Sequence, residues 1–291
     1  MQTKAQEIKQ QHQVIMQERY REIISTIASF LLSLALLGLT ILLVIQWSGF
    51  SRNAFYKNMS VNNYYEFVRK DIFEEAKSIT IPIGIPVTVL EKVFASKEIS
   101  KDVNGYIEAS FRGENYFTKT EALANRLEVN IRAFLGEVGI TLDAEVETNL
   151  KTYISSITKE YTDHVQMPLL SAFIKVRNVY DKIFTISIVG CVLFVLICLS
   201  ILRRLHRFTH NGVRFVIFAM IATGLMTGIV PIIMLESGYI KRIHLSPEYL
   251  YDFFTTYVTN IFNTLLAASI MWLVVSSVLI VVSNLSKNRK Y

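Results

Sequence analysis

Charge is missing from four long stretches of the chain. No Asp, Glu, Lys, Arg or His interrupts residues 23–47, 183–202, 215–235 or 261–282. Only 19% of the 291 residues are charged and 52% are hydrophobic, whereas a soluble domain carries about 25% charge. This imbalance excludes a soluble enzyme and a disordered tail protein. Cysteine is nearly absent as well. The only two, Cys191 and Cys198, both lie in the second uncharged run. Helical rise sets positions seven apart at about 10 Å, too far for one bridge, and a disulfide scaffold is excluded. Period-two alternation never runs past four or five residues, which excludes strands of useful length. There is no nucleophile elbow, HExxH, glycine-rich phosphate loop or CxxC. No cofactor, metal or catalytic residue is assigned, and the chain does not read as an enzyme.

What is present is membrane-like. A bilayer core of about 30 Å takes roughly 20 helical residues, and each uncharged run supplies them. Residues 23–47 lie between Glu22 and Arg52, residues 183–202 stop at Arg203-Arg204, and residues 215–235 lie between Arg214 and Glu236. Residues 261–282 sit inside the longer uncharged stretch 253–286. The expected fold class is an all-α polytopic membrane protein: four transmembrane helices, with an all-helical extracytoplasmic domain at 48–182. The first run starts too late and is too long for a cleaved signal peptide, and reads as an uncleaved anchor.

Lys and Arg set the orientation. The N-terminal helix 1–22 is +1, the loop 203–214 is +4 without an acid, and the tail 283–291 is +3. Residues 48–182 and the short segment 236–260 are each −1. Both termini and the basic loop are expected on the cytoplasmic side of the plasma membrane. The pI of about 9.2 follows from that asymmetry, and no nucleic-acid partner is expected. A cysteine-free outer domain fits a bacterium better than an animal secretory route. The sequon Asn58-Met59-Ser60 would matter only in a eukaryote.

Helical punctuation organises the outer segment. Ser60 precedes a stripe of Val61, Tyr64, Tyr65, Val68, Ile72 and Phe73, broken where Pro82, Gly84 and Pro86 cluster. Pro86 is expected to open a short helix over 87–95. Ser100 is expected to cap a helix over 101–111 that stops near Gly113. Thr118 and Glu121 form a capping-box pattern before Leu123, Leu127, Ile131, Phe134 and Leu135, with Gly136 and Gly139 as the end. Asp143 caps a helix burying Val146, Leu150, Tyr153, Ile154, Ile157 and Tyr161, and Pro168 kinks or divides it. Ser246-Pro247-Glu248 starts a helix that runs through the fourth span to about Ser283. The tail 1–22 reads as a helical extension of the first span.

Few residues suggest a site. Gly224 and Gly228 make a small-xxx-small face in the third span, suited to packing within the chain or to a homo-oligomer. Asn260, Asn263, Thr264, Ser269, Ser276 and Ser277 offer interhelical hydrogen bonds in the fourth. No ionisable group lies at membrane depth, which argues against ion-coupled transport by this chain alone. Glu160 and His164 stand one helical turn apart beside Asp163, and His244 lies near Glu236. Such a pair can share a metal or a proton, and solvated helix faces also produce it by chance. Arg203, Arg204, Arg207 and Arg214, with His206 and His210, face membrane lipid headgroups.

The residues Ile85-Pro86-Val87, Val93-Phe94, Ser100-Lys101-Asp102-Val103, Tyr106-Ile107 and Gly113 follow a loose pattern. It resembles one in uncharacterised four-span membrane proteins of low-GC Gram-positive bacteria that carry a helical extracytoplasmic domain. The resemblance implies a bacterial envelope setting and brings no activity with it. The layout also resembles cell-division permease-like subunits that pair with a cytoplasmic ATPase, although their outer loop mixes strands with helices. The expected function is a non-enzymatic scaffold or sensor whose outer domain binds a protein partner in the cell envelope. A permease-like subunit of a separate ATPase is the first alternative. A lipid-modifying enzyme using His164 or His244 is the second.

Overall fold

The computed structural model describes residues 2–91, 93–139, 143–168, 170–206, 209–243, 245 and 247–288. Among these residues every regular element is helical and none is a strand. The α-helices are α1 (Gln2–Val44), α2 (Arg52–Val61), α3 (Tyr64–Thr80), α4 (Ser96–Arg112) and α5 (Glu121–Val138), followed by α6 (Ala144–Val165), α7 (Leu170–Leu205), α8 (Thr209–Glu236) and α9 (Glu248–Asn288). Among the described residues four stretches are long and apolar enough to cross a membrane: Glu18–Gly49, Ala144–Leu205, Gly212–Glu236 and Glu248–Leu285. The second is far longer than a bilayer requires, and only its part at 183–202 is free of charge.

The chain forms two compact units. The apolar unit comprises Met1–Phe55, Tyr180–His244 and Phe254–Tyr291. Its core joins Ala28, Leu32 and Leu36 of α1, Cys198 and Leu202 of α7, and Ala219 and Met220 of α8, with Trp272 and Leu279 of α9 packed on it. The outward faces are as apolar as the core. Ile23, Ile27 and Phe30 of α1 and Val274, Val278 and Val281 of α9 are all more than half exposed. Water would penalise such a surface and acyl chains would not. Backbone carbonyls and hydroxyls join the helices. Ser29 donates to the Phe215 carbonyl (2.8 Å), Thr223 to that of Ser33 (3.1 Å), and the Trp272 indole to the Thr40 hydroxyl (2.9 Å). Thr264 and Ser48 hydroxyls lie 3.2 Å apart. Ser276 and Ser277, by contrast, both spend their hydroxyls on Leu273 O of their own helix.

The polar unit comprises Tyr56–Val179 and Leu245–Phe253. Its core is built at helical spacing: Val68, Ile72 and Ala76 of α3; Ile99, Val103 and Ile107 of α4; Leu127 and Ile131 of α5; Ile157 and Val165 of α6. None is more than 1% exposed. α3 packs on α4 and α6, and α5 packs on α6. Asp143 caps α6, its Oδ1 accepting the Val146 N–H at 2.8 Å. The chain is divided before α7, where Pro168 disfavours helix in the residue before it.

Several boundaries depart from the sequence reading. The expected stripe after Ser60 is interrupted, because Asn63 takes a left-handed conformation (φ 48°) and separates α2 from α3. Val61 is consequently 63% exposed. Asn58 of the sequon is buried inside α2, which leaves no acceptor for a glycan. The helix expected at 87–95 is only a 3-10 turn, Val87–Leu90. Ser100 does not cap α4. That helix starts four residues earlier, which keeps Ile99 in register with Val103 and Ile107, and the Ser96 hydroxyl is donated across to Glu66 of α3. The Thr118 capping box does not form either, since α5 begins at Glu121 after Thr120 and no side chain caps it. Gly136 lies within α5, and the left-handed Gly139 (φ 75°) ends it. Ser246, expected to open α9, lies outside the described residues, yet α9 starts at Glu248 and runs unbroken to Asn288.

Candidate ligand cleft

One concavity of the polar unit is built around a single carboxylate. On α4 the core stripe leaves Glu98, Lys101, Asp102, Gly105 and Glu108 on another face, spaced by one helical turn. Asp102 there accepts two phenols, Tyr161 of α6 at 2.7 Å and Tyr116 at 3.1 Å. Tyr116 comes from the irregular segment between α4 and α5, and the hydroxyl end of its ring lies against Gly105. A Cβ at Gly105 would sit 2.7 Å from that ring, so any larger residue there displaces it. Tyr106 meets the same ring edge-on, with centroids 6.4 Å apart. Arg126 of α5 grips Glu98 through two nitrogens. Apart from Tyr106, which backs Tyr116 from outside, these residues line, with Lys119 and Phe117, a cleft of about 710 Å³. That volume lies within the usual range of ligand sites.

The environment shifts the phenols strongly. Burial, then the charge of Asp102 and the hydrogen bond to it, push Tyr116 up to about 12. Burial and the same carboxylate push Tyr161 well above the ordinary tyrosine range. The folded state therefore favours the neutral phenol more than the unfolded chain does, where tyrosine titrates near about 10. Stability from this cluster is intact below pH about 10 and falls as pH rises through about 12. Circular dichroism of the full-length protein across that window should show helix loss. Tyr116→Phe should remove part of it, and an identical profile for the variant would contradict the assignment.

The residues singled out from sequence are scattered. His164 does not meet the Glu160 carboxylate. Its Nδ1–H donates to the Glu160 backbone carbonyl (2.8 Å), and its Nε2 lies 3.3 Å from Asp71 of α3. Both ring nitrogens thus face acceptors, and Nε2 reaches from α6 to α3. His244 and Arg207 lie outside the described residues, as does the side chain of His210. Among the described residues no group of three or more His, Cys, Asp or Glu is placed to hold a metal. Gly224 and Gly228 lie against α9 of the same chain, within reach of Leu273 and Ser269. Arg203 lines a smaller pocket of about 260 Å³ with His206 and Gly212. The His206 Nε2 is 2.9 Å from the Ser25 hydroxyl of α1, and its ring stacks on Phe215. Arg204 is exposed, and Arg214 lies over the Phe218 ring at 5.4 Å.

Asp102, Lys101 and Tyr106 stood in the sequence pattern without a role, and Tyr116 went unmarked. No spacing rule joins residues 102, 116 and 161. Only the path of the segment between α4 and α5 does so. No known protein family, curated protein or solved structure matches the chain.

Proposed function

We propose that this protein is a non-enzymatic sensor or scaffold of a bacterial plasma membrane, whose polar helical unit faces outward and binds an envelope partner. The observation that carries this reading is the α4 cleft, a mixed-sign concavity on a unit with its own core. Chain connectivity supports it. The chain passes between the two units inside α2, α7 and α9, so binding at the polar unit acts on helices that continue into the apolar one. The net charge of the flanking segments supports the outward orientation.

The test uses single cysteines in a background lacking Cys191 and Cys198. Phe117, 83% exposed at the cleft, is replaced by cysteine, as is Glu18 near the N-terminus. Intact cells are treated with a membrane-impermeant maleimide carrying a photo-crosslinker. Phe117→Cys should be labelled without lysis and Glu18→Cys only after it. On illumination, Phe117→Cys should give a discrete adduct that Val138→Cys, exposed at the far end of α5 and not lining the cleft, does not. Labelling in the reverse order would overturn the orientation. Adducts identical at both positions, or none, would overturn the binding role.

A further inference from the structure

We propose that the α4 cleft takes a short zwitterionic peptide, its ammonium seated on Asp102 and its carboxylate held by Lys101 and Lys119. This rests on the outward-binding reading above and adds the chemistry of the ligand.

Around Asp102 the cleft presents acceptors. A phenol has one hydrogen to give, and both Tyr116 and Tyr161 give theirs to Asp102. What remains toward the cleft is the unused lone pairs of one carboxylate and two phenol oxygens, with no hydrogen to donate. Among the described residues Asp102 forms no ion pair, unlike Glu98, which holds Arg126, and Glu108, which holds Arg112. A charged acceptor with no cation of its own selects a cationic donor, and an ammonium group is the compact one.

The rim is the opposite. Lys101 and Lys119 are exposed, line the same cleft and form no ion pair among the described residues. Ammonium groups donate and never accept, so the rim selects a carboxylate. The ring of Phe117 stands in solvent beside them, available to cover an apolar side chain. A purely structural role for the Asp102 cluster would account for the two buried hydrogen bonds. It would not account for two unpaired lysines and an exposed phenylalanine around the same opening.

The experiment is calorimetric titration of the full-length protein in phosphatidylcholine nanodiscs with three probes: trialanine, N-acetyl-trialanine and trialanine amide. Each capped form removes one charge and keeps the backbone. Hydrogen bonds to charged groups contribute about 1.5–3 kcal/mol, so trialanine should bind at least about tenfold more tightly than either capped form. Asp102→Asn, which keeps an acceptor oxygen for a tyrosine, should erase the loss caused by N-acetylation. The double variant Lys101→Gln/Lys119→Gln, confined to exposed side chains, should erase the loss caused by amidation. Equal affinity for the three probes, no binding of trialanine at millimolar concentration, or unchanged selectivity in both variants would overturn the proposal. If Phe117→Cys still gives its adduct on cells while trialanine fails to bind, the ligand class is wrong and the outward-binding role stands. If neither occurs, both fall.

Discussion

Gly224→Leu will break the packing of α8 against α9. A Cβ at Gly224 would lie 3.0 Å from Cγ and Cδ2 of Leu273 and 3.3 Å from the backbone oxygen of Ser269. One of those neighbours is main chain and cannot rotate away. The same contact contains a hydrogen bond, Ser269 Oγ to Gly224 O at 2.7 Å, and the hydroxyl in turn occupies the space beside Gly228, where a Cβ would be 2.6 Å from it. Helices in lipid gain no hydrophobic energy by associating, so close approach through small residues carries the packing. Overfilling a well-packed contact costs about 1–3 kcal/mol for modest additions, and leucine should reach the upper end of that range. The expected result is a marked fall in unfolding temperature in detergent, with a change in the fluorescence of Trp272, whose indole is bonded to Thr40 on α1. Gly190→Leu is the control, since nothing lies within 4 Å of a Cβ at that position in α7; it should be nearly silent. Were the two glycines instead an oligomer face, Gly224→Leu would leave unfolding unchanged and alter only the particle size.

The gross architecture was legible because charge and period carry it. Uncharged runs of bilayer length marked the four apolar helices, and the stripes Leu123–Leu127–Ile131 and Leu150–Ile154–Ile157 marked buried faces of α5 and α6. Capping was legible only where it was local. Asp143 caps α6 through its own side chain, whereas Ser100 lies inside α4 and Thr118 leaves α5 uncapped, because tertiary partners decide where those helices begin. Ser96 gives its hydroxyl to Glu66, and Tyr116 ties the segment before α5 to α4. In the apolar unit, attention to polar residues of α9 missed a clearer stripe on α1. Ser25, Ser29 and Ser33 recur every four residues and are buried. Ser29 bonds the α8 backbone, and Ser33 accepts from Thr223. That spacing was a usable signal. The cleft was not legible, because residues 102, 116 and 161 meet only after α4, α6 and an irregular segment are assembled.

Asp102→Ala will destabilise the polar unit more than its partial exposure suggests. The carboxylate is the common acceptor for two phenols, and Tyr161 is only 3% exposed. Removing the acceptor leaves the Tyr161 hydroxyl without its partner and open to hydration only from the cleft side, a penalty of about 1–3 kcal/mol. Tyr116 is less buried and recovers part of its loss from solvent, but it also loses the bond that fixes its ring against Gly105. Removing both partners should cost less than the sum of the parts. Tyr161→Phe alone deletes the donor and leaves Asp102 with Tyr116. In the double variant Asp102→Ala/Tyr161→Phe no buried hydroxyl is left unsatisfied. A double-mutant cycle on urea unfolding of the full-length protein should therefore give a coupling of about 1 kcal/mol or more between residues 102 and 161. Strict additivity would mean that the hydrogen bond across α4 and α6 contributes nothing, and the cleft would lose that contact. Gly105→Ala adds an independent reading of the same geometry. Its Cβ displaces the Tyr116 ring without touching Asp102, so it should lower stability while leaving the 102–161 coupling intact.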